Sequence, residues 1–146
     1  MKNIRQATCV DLNRIAEIEI FNYRLNFYPI FQDDSFYFEE LQVSKQIERY
    51  KEIQDSIWVY DDGVVKGFVQ VVKREVKKLF VEPILQGQGI GAELLEYAIA
   101  ELNVQHLWAL EKNVKAIAFY ERHGFRVTNE KKFEDDTTEY LVRLKR

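Results

Sequence analysis

The sequence predicts an α+β domain: a mixed, mostly antiparallel sheet of about six to seven strands flanked by four helices. Three observations carry this. Short β-branched and aromatic runs such as SIWVY (Ser56 to Tyr60) alternate with stretches whose apolar residues recur every three or four positions. Asp61-Asp62-Gly63 sits between two such runs and reads as a tight hairpin turn, which makes those strands antiparallel. Later, a strand, a helix and another strand follow one another, and that crossover makes one pair parallel. At 146 residues with 47% hydrophobic content, the chain is read as one domain spanning 1–146.

The elements follow in order. Lys2 to Ala7 reads as a short strand. Thr8 and Asp11 form a capping-box variant that opens a helix reaching about Tyr23, with Leu12, Ile15, Ala16 and Ile18 apolar. Phe21 to Phe38 is rich in aromatic residues, and Pro29 with Asp33-Asp34-Ser35 makes part of it a loop. Its aromatics suit either core packing or the wall of a small-molecule pocket. Leu41 to Ile53 is a second helix. Ser56 to Tyr60 and Val64 to Val72 are the hairpin strands, with a bulge expected at Gly67. Glu75 to Val81 is the next strand and ends before Pro83. A helix from Ala92 to Leu102 and a strand from His106 to Leu110 come next. The helix from Asn113 to His123 ends at Gly124, a residue suited to the left-handed conformation there. Two strands, beginning at Phe125 and ending at Leu144, enclose a polar hairpin from Lys131 to Thr137.

The stretch LFVEPILQGQGIGA, Leu79 to Ala92, is where chemistry is expected. Gln86, Gly89 and Gly91 fit Q/R-x-x-G-x-G/A at a strand-to-helix junction. Glycines there remove side chains that would hold a ligand away, and they tolerate positive φ. The loop and first-turn N–H groups then point outward together with the helix dipole behind them, a site for phosphate or pyrophosphate.

Two motifs now stand in order. QGQGIGAELL resembles the acetyl-CoA pyrophosphate loop of the GNAT family of N-acetyltransferases. NVKAIAFYERHGF resembles the family's second signature, N-x-x-A-x-x-F-Y-E-x-x-G-F, through Asn113, Ala116, Phe119, Tyr120, Glu121, Gly124 and Phe125. The opening IRQATCVDLNRIAEI is also similar, and the resemblance thins between Phe21 and Ile53.

The resemblance implies acetyl transfer from acetyl-CoA to a primary amine of a small molecule, a protein lysine or a protein N-terminus. It implies a splayed parallel strand pair whose gap takes pantetheine against Leu79, Phe80 and Val81. The pyrophosphate would rest on Gln86, Gly87, Gln88, Gly89, Ile90, Gly91 and Ala92, and Asn113 would cap its helix or touch the pantetheine arm. An N–H near Phe80 would serve as oxyanion donor. Tyr120 matches the family's general acid, and Glu75 falls near the glutamate base of its histone-acetylating members. Glu111 or water are the alternatives for that base. Pairing into a homodimer is common in such proteins.

Other features bound the reading. A net charge of −3 gives no field for nucleic acid. No apolar run approaches the roughly 18 residues of a membrane span. MKNIRQAT runs into Asp11 rather than an apolar stretch, so no signal peptide is expected. With a single cysteine, Cys9, expected in the core, a cytoplasmic setting is expected. His106 and His123 have no ligand spacing, so no metal is expected. Trp58 and Trp108 are expected in core or pocket wall, and Lys73 to Lys78 on a solvated face. Two alternatives stay open. A dinucleotide-dependent oxidoreductase is suggested by Gly87, Gly89 and Ala92 as G-x-G-x-x-A, although EPILQ intervenes and too little chain follows Glu111 for a doubly wound sheet. The other is an acyl-CoA-binding sensor on the same fold without turnover.

Overall fold

The computed structural model describes residues 3–146. Its strands are β1 (Ile4–Gln6), β2 (Ile57–Asp61), β3 (Val65–Val72), β4 (Glu75–Val81), β5 (His106–Leu110), β6 (Arg126–Phe133) and β7 (Tyr140–Lys145). They form one sheet in the order β1-β2-β3-β4-β5-β7-β6. Only β4 and β5 are parallel; every other neighbouring pair is antiparallel. This is the mixed sheet the sequence predicts, and it is not the doubly wound parallel sheet that a dinucleotide fold needs. The expected start of the first strand at Lys2 lies outside the described residues.

Among the described residues there are five α-helices: α1 (Leu12–Asn22), α2 (Tyr28–Phe31), α3 (Val43–Lys51), α4 (Ile90–Leu102) and α5 (Val114–Arg122). Leu12, Ile15 and Ile18 of α1 and Tyr50 of α3 pack with Ile57, Val59 and Phe68 on one face. Ile90, Leu94, Leu95 and Ala98 of α4 pack with Val69, Val76, Leu107 and Leu144 on the other, with Phe119 and Tyr120 of α5 beside them. Each fully buried side chain of that size contributes roughly 1.5–3 kcal/mol. Alternation along β3 sends Phe68 to the first face and Val69 to the second. No described helix is long and apolar enough to cross a membrane.

The start of α1 is tied down by charge. The Thr8 N–H donates to Asp11 Oδ2 at 2.8 Å. Arg5 on β1 donates through two nitrogens to the two Asp11 oxygens, at 2.8 and 2.9 Å, and reaches Asp61 at 2.9 Å. Asp11 is 4% exposed. Its carboxyl is held below the ordinary value of 3.8, chiefly by the Arg5 hydrogen bonds.

The structure corrects several expectations. The aromatic stretch is helical almost throughout. From α1 the chain passes without a break into a wide π-helical turn, Tyr23–Phe27, then α2, and after Gln32 and Asp33 another π-helical segment, Ser35–Glu40. Pro29 lies in the first turn of α2, where its missing N–H costs nothing. Cys9 is exposed, because the 3₁₀ turn Cys9–Asp11 directs it outward. β6 runs to Phe133, so Lys131 and Lys132 belong to the strand and the turn proper begins at Glu134.

Gly67 serves close packing. It pairs in register with Tyr60 and Val81, and the bulge falls just beside it, opposite the Tyr60/Asp61 step. A Cβ at Gly67 would sit 3.0 Å from the Phe80 carbonyl oxygen and 3.1 Å from Leu94 Cδ1. Glycine here lets α4 approach the sheet.

Two outcomes follow. Gly67→Ala should lower unfolding stability by about 1–3 kcal/mol through overpacking; a urea midpoint equal to wild type would refute the close-approach account. For Asp11, the depressed folded value means its stabilisation is present above about pH 4 and lost as pH falls through the folded value. Asp11→Asn should therefore be less stable than wild type at pH 7, and the difference should shrink on acidification below pH 4. A difference that does not change with pH would remove the ion pair from the account.

Candidate active site

The parallel pairing of β4 with β5 covers only Glu75 with His106 and Val76 with Leu107. Beyond Val76 the two strands separate, while β4 stays paired to β3 through Leu79, Phe80 and Val81. The Glu82 N–H donates to the Lys66 carbonyl of the β3 side at 2.9 Å. Backbone direction alternates along a strand, so Phe80 also pairs toward β3, and the groups of Leu79 and Val81 face the gap. The N–H groups near Phe80 that face the gap are therefore those of Leu79 and Val81.

Val81 is held by Asn22, which the sequence reading missed, and by Gln86, which it placed under the pyrophosphate. Its carbonyl accepts from Asn22 Nδ2 at 2.8 Å and from Gln86 Nε2 at 3.3 Å. Asn22 is buried at the end of α1 and also donates to the Ile18 carbonyl at 2.8 Å. Gln86 Nε2 donates to Asn22 Oδ1 at 3.0 Å, which ties the glycine loop to α1. Glu19 precedes Asn22 by one helical turn and is fully buried. Its carboxylate accepts from Gln46, from the Tyr50 hydroxyl and from Lys78 Nζ. Lys78 is therefore half-buried and tied into an ionic cluster around the buried Glu19. Two polar residues three apart on an otherwise apolar helix face were the available signal.

The glycine loop behaves as its composition requires. Gly87 and Gly89 have φ of 82° and 85°. Gly89 is the N-cap of α4 and supplies no capping side chain, so the first-turn N–H groups have none to satisfy them. Gly91 faces Val81 and Phe119; a Cβ there would be 3.6 and 3.7 Å from them. A cleft of about 530 Å³ runs along this loop. Leu79, Phe80, Val81, Gln86, Gly87, Gly89, Ile90, Gly91, Ala92, Asn113 and Tyr120 line it; Gln88 does not. The cations on it are Lys115 and Arg122, not the Lys73 to Lys78 run. Uncapped amides, glycines and two cations fit a pyrophosphate-bearing ligand.

A second cavity, of about 500 Å³, lies on the other side of the gap. Tyr23, Phe27, Phe31, Phe36, Tyr37 and Trp108 give it an aromatic wall, and Asp33 with Glu134 to Thr137 bounds it. The thin parts of the resemblance thus supply this cavity. Phe80 anchors the wall, with Tyr23 at 5.5 Å and Phe27 at 6.4 Å between ring centroids. Phe27, Leu79, Phe80, Asn113, Ala116 and Tyr120 belong to both cavities and mark where they meet.

Tyr120 stands at that junction. It packs edge-on to Phe119 and Phe125, at 5.3 and 5.9 Å. Burial raises its phenol well above the ordinary value of 10.0, so it is a neutral hydroxyl at neutral pH. Asn113 caps α5, its Oδ1 accepting from the Ala116 N–H at 3.3 Å. Glu75 is not brought to this point. It sits at the joined end of the strands, 3.3 Å from Lys77 Nζ, and lines neither cavity. The period-two face expected to carry both Glu75 and Leu79 is broken by a bulge at Lys77, so Val76 shares the α4-side face with Leu79 and Glu75 points the other way. Glu111 is half exposed and paired with Lys131 Nζ at 2.5 Å.

Comparison with known proteins agrees with this geometry. A family model described as an acetyltransferase (GNAT) domain matches residues 54–127. The chain is 32% identical over 81 residues to the peptidyl-lysine N-acetyltransferase YjaB of Salmonella typhimurium, covering 54% of this chain and 56% of that one. The chain spans about half the length of the curated relatives it first matches. Among solved structures it is similar to apo YjaB from Escherichia coli, with TM-score 0.74, 21% identity, and coverage of 97% of this chain and 95% of that one. It is also similar to the PaiA N-acetyltransferase of Thermoplasma acidophilum in complex with coenzyme A, with TM-score 0.68, 20% identity and 98% coverage of both chains. With a family model matching half its length and the splayed strands, glycine loop and tyrosine in place, the chain belongs to the GNAT acetyltransferase family.

Proposed function

We propose that this protein is an N-acetyltransferase that moves an acetyl group from acetyl-CoA to a primary amine, in a complex holding both substrates. The observation that carries this is Tyr120 at the meeting point of two cavities, one floored by the uncapped start of α4 and the other walled by aromatics. Acetyl-CoA would supply an activated thioester. The amides of Ile90, Gly91 and Ala92, with Lys115 and Arg122, would hold its phosphates, and the gap-facing groups of Leu79 and Val81 its pantetheine arm.

The amine nitrogen forms a bond to the acyl carbon and the carbon–sulfur bond breaks. A gap-facing N–H of Leu79 or Val81 offsets negative charge developing on the acyl oxygen. The Tyr120 hydroxyl gives a proton to the departing sulfur; its raised value keeps that proton available until a thiolate forms. The amine's own proton leaves to water through the second cavity, whose rim residues Asp33 and Asp135 are exposed. A lysine side chain or a small aliphatic amine suits the aromatic wall, and the relatives named as peptidyl-lysine N-acetyltransferases support the first. A cytoplasmic setting is part of the same reading, supported by one unpaired cysteine.

Acetyl-CoA at about 100 times its dissociation constant should raise unfolding stability by about 2.7 kcal/mol. Gly91→Glu should abolish that rise while leaving the unliganded protein as stable or slightly more so, because a carboxylate in the first turn of α4 favours the helix and repels phosphate. Tyr120→Phe should bind acetyl-CoA normally and lose about 10²-fold or more in turnover with an amine. Absence of stabilisation by acetyl-CoA in the wild-type protein would overturn the proposal.

A further inference from the structure

The second cavity carries a charge distribution that simple amine transfer does not need. Asp33, Glu134, Asp135 and Asp136 all line it. Among the described residues none of these four carboxylates is in an ion pair. The two lysines of the same lining are both committed. Lys77 Nζ is 3.3 Å from Glu75, and Lys78 Nζ is 2.5 Å from the buried Glu19. The rim is thus negative and unneutralised.

An independent observation lies deeper. Tyr37 is 4% exposed and lines the cavity, yet its hydroxyl makes no hydrogen bond among the described residues. The hydroxyl oxygen is not sealed from solvent: it opens on the cavity, where a bound group can partner it. Burial, then the nearby charges of Asp33 and Glu134, push this phenol up to about 12. It therefore stays protonated between carboxylates and accepts a hydrogen bond from a cation lodged there. The surrounding faces of Tyr23, Phe27, Phe31 and Phe36 suit an aliphatic stem and attract ammonium groups.

Building on the acetyl-transfer reading above, we propose that the preferred acceptor bears a second positive charge beside the amine that is acetylated. That charge is held by Tyr37, Asp33 and the Glu134 to Asp136 turn, while the reacting amine points to Tyr120. The chemistry is that of an α,ω-diamine, found in a free polyamine or in a lysine next to another basic residue.

The test compares kcat/KM at saturating acetyl-CoA, read as released CoA thiol, for 1-aminohexane against 1,6-diaminohexane. A parallel arm compares a lysine peptide with and without an arginine next to the lysine. The doubly charged member of at least one pair should be favoured about tenfold, with the preference falling as salt is raised. The double variant Asp135→Asn, Asp136→Asn should bring that ratio toward one; asparagine tolerates the positive φ of 60° at position 136, so the turn is kept. Tyr37→Phe should lower the same ratio. Preference confined to the diamine assigns the charge to a free polyamine, and preference confined to the peptide assigns it to a basic segment. Equal turnover of single and double charges by wild type, or a ratio the double variant leaves untouched, overturns this inference and leaves acetyl transfer standing. Failure to bind acetyl-CoA overturns both.

Discussion

Two ladder positions, Glu75 with His106 and Val76 with Leu107, hold β4 to β5, and the site depends on the pairing stopping there. Had the parallel ladder continued, the backbone groups of Leu79 and Val81 would be spent within the sheet. Stopping it opens a gap through the layer, with α4 and the glycine loop on one side and the aromatic segment on the other. Backbone polar groups left in such a gap need partners. Asn22 and Gln86 supply them for the Val81 carbonyl, and a ligand that pairs like a strand would supply them for the rest.

The gap is kept open from both faces. On the α1 face, Phe80 packs among Tyr23, Phe27 and Phe68, which fixes β4 to β3 and to the wide helical turn. Beneath it, Glu19 gathers Gln46, Tyr50 and Lys78. A buried carboxylate of this kind is tolerated because it is paired and hydrogen-bonded, and removing a partner would leave its charge uncompensated. On the α4 face, Gly67 lets the helix lie close to β3, so its first-turn amides reach the cleft. The negative rim and the aromatic wall belong to the α1 side, the free amides and the cations to the α4 side. A basic acceptor and a phosphate-bearing donor are thereby sorted to opposite sides of one opening.

Much of this was legible in the sequence, for identifiable reasons. β4 and β5 fall on the expected residues because strand runs bounded by Pro83 and by helical periodicity leave little freedom. Gly87, Gly89 and Gly124 adopt positive φ where the turn and the helix end require it. Of the residues named for the cofactor, all but Gln88 line the cleft, because contact there runs through backbone and the spacing of glycines encodes backbone; Asn22, Asn26, Lys115 and Arg122 also line it and were not named. What was hidden depends on tertiary partners. The aromatic stretch matches no single period because its turns widen to five-residue spacing. Glu19, Asn22 and Lys78 are ordinary polar residues until α1 is laid against β4. Glu75 stands at the closed end of the strand pair, and a bulge at Lys77 turns it off the face of Leu79; strict alternation contains neither fact.

The most direct measurement is residue-resolved amide hydrogen exchange along β4, with and without acetyl-CoA. Without ligand, the Leu79 and Val81 amides should exchange markedly faster than that of Phe80, which pairs toward β3. Adding acetyl-CoA should slow Leu79 and Val81 and leave Phe80 little changed. Uniform protection of all three amides in the unliganded protein would contradict the account, because it would mean that the strands do not part where the site requires it.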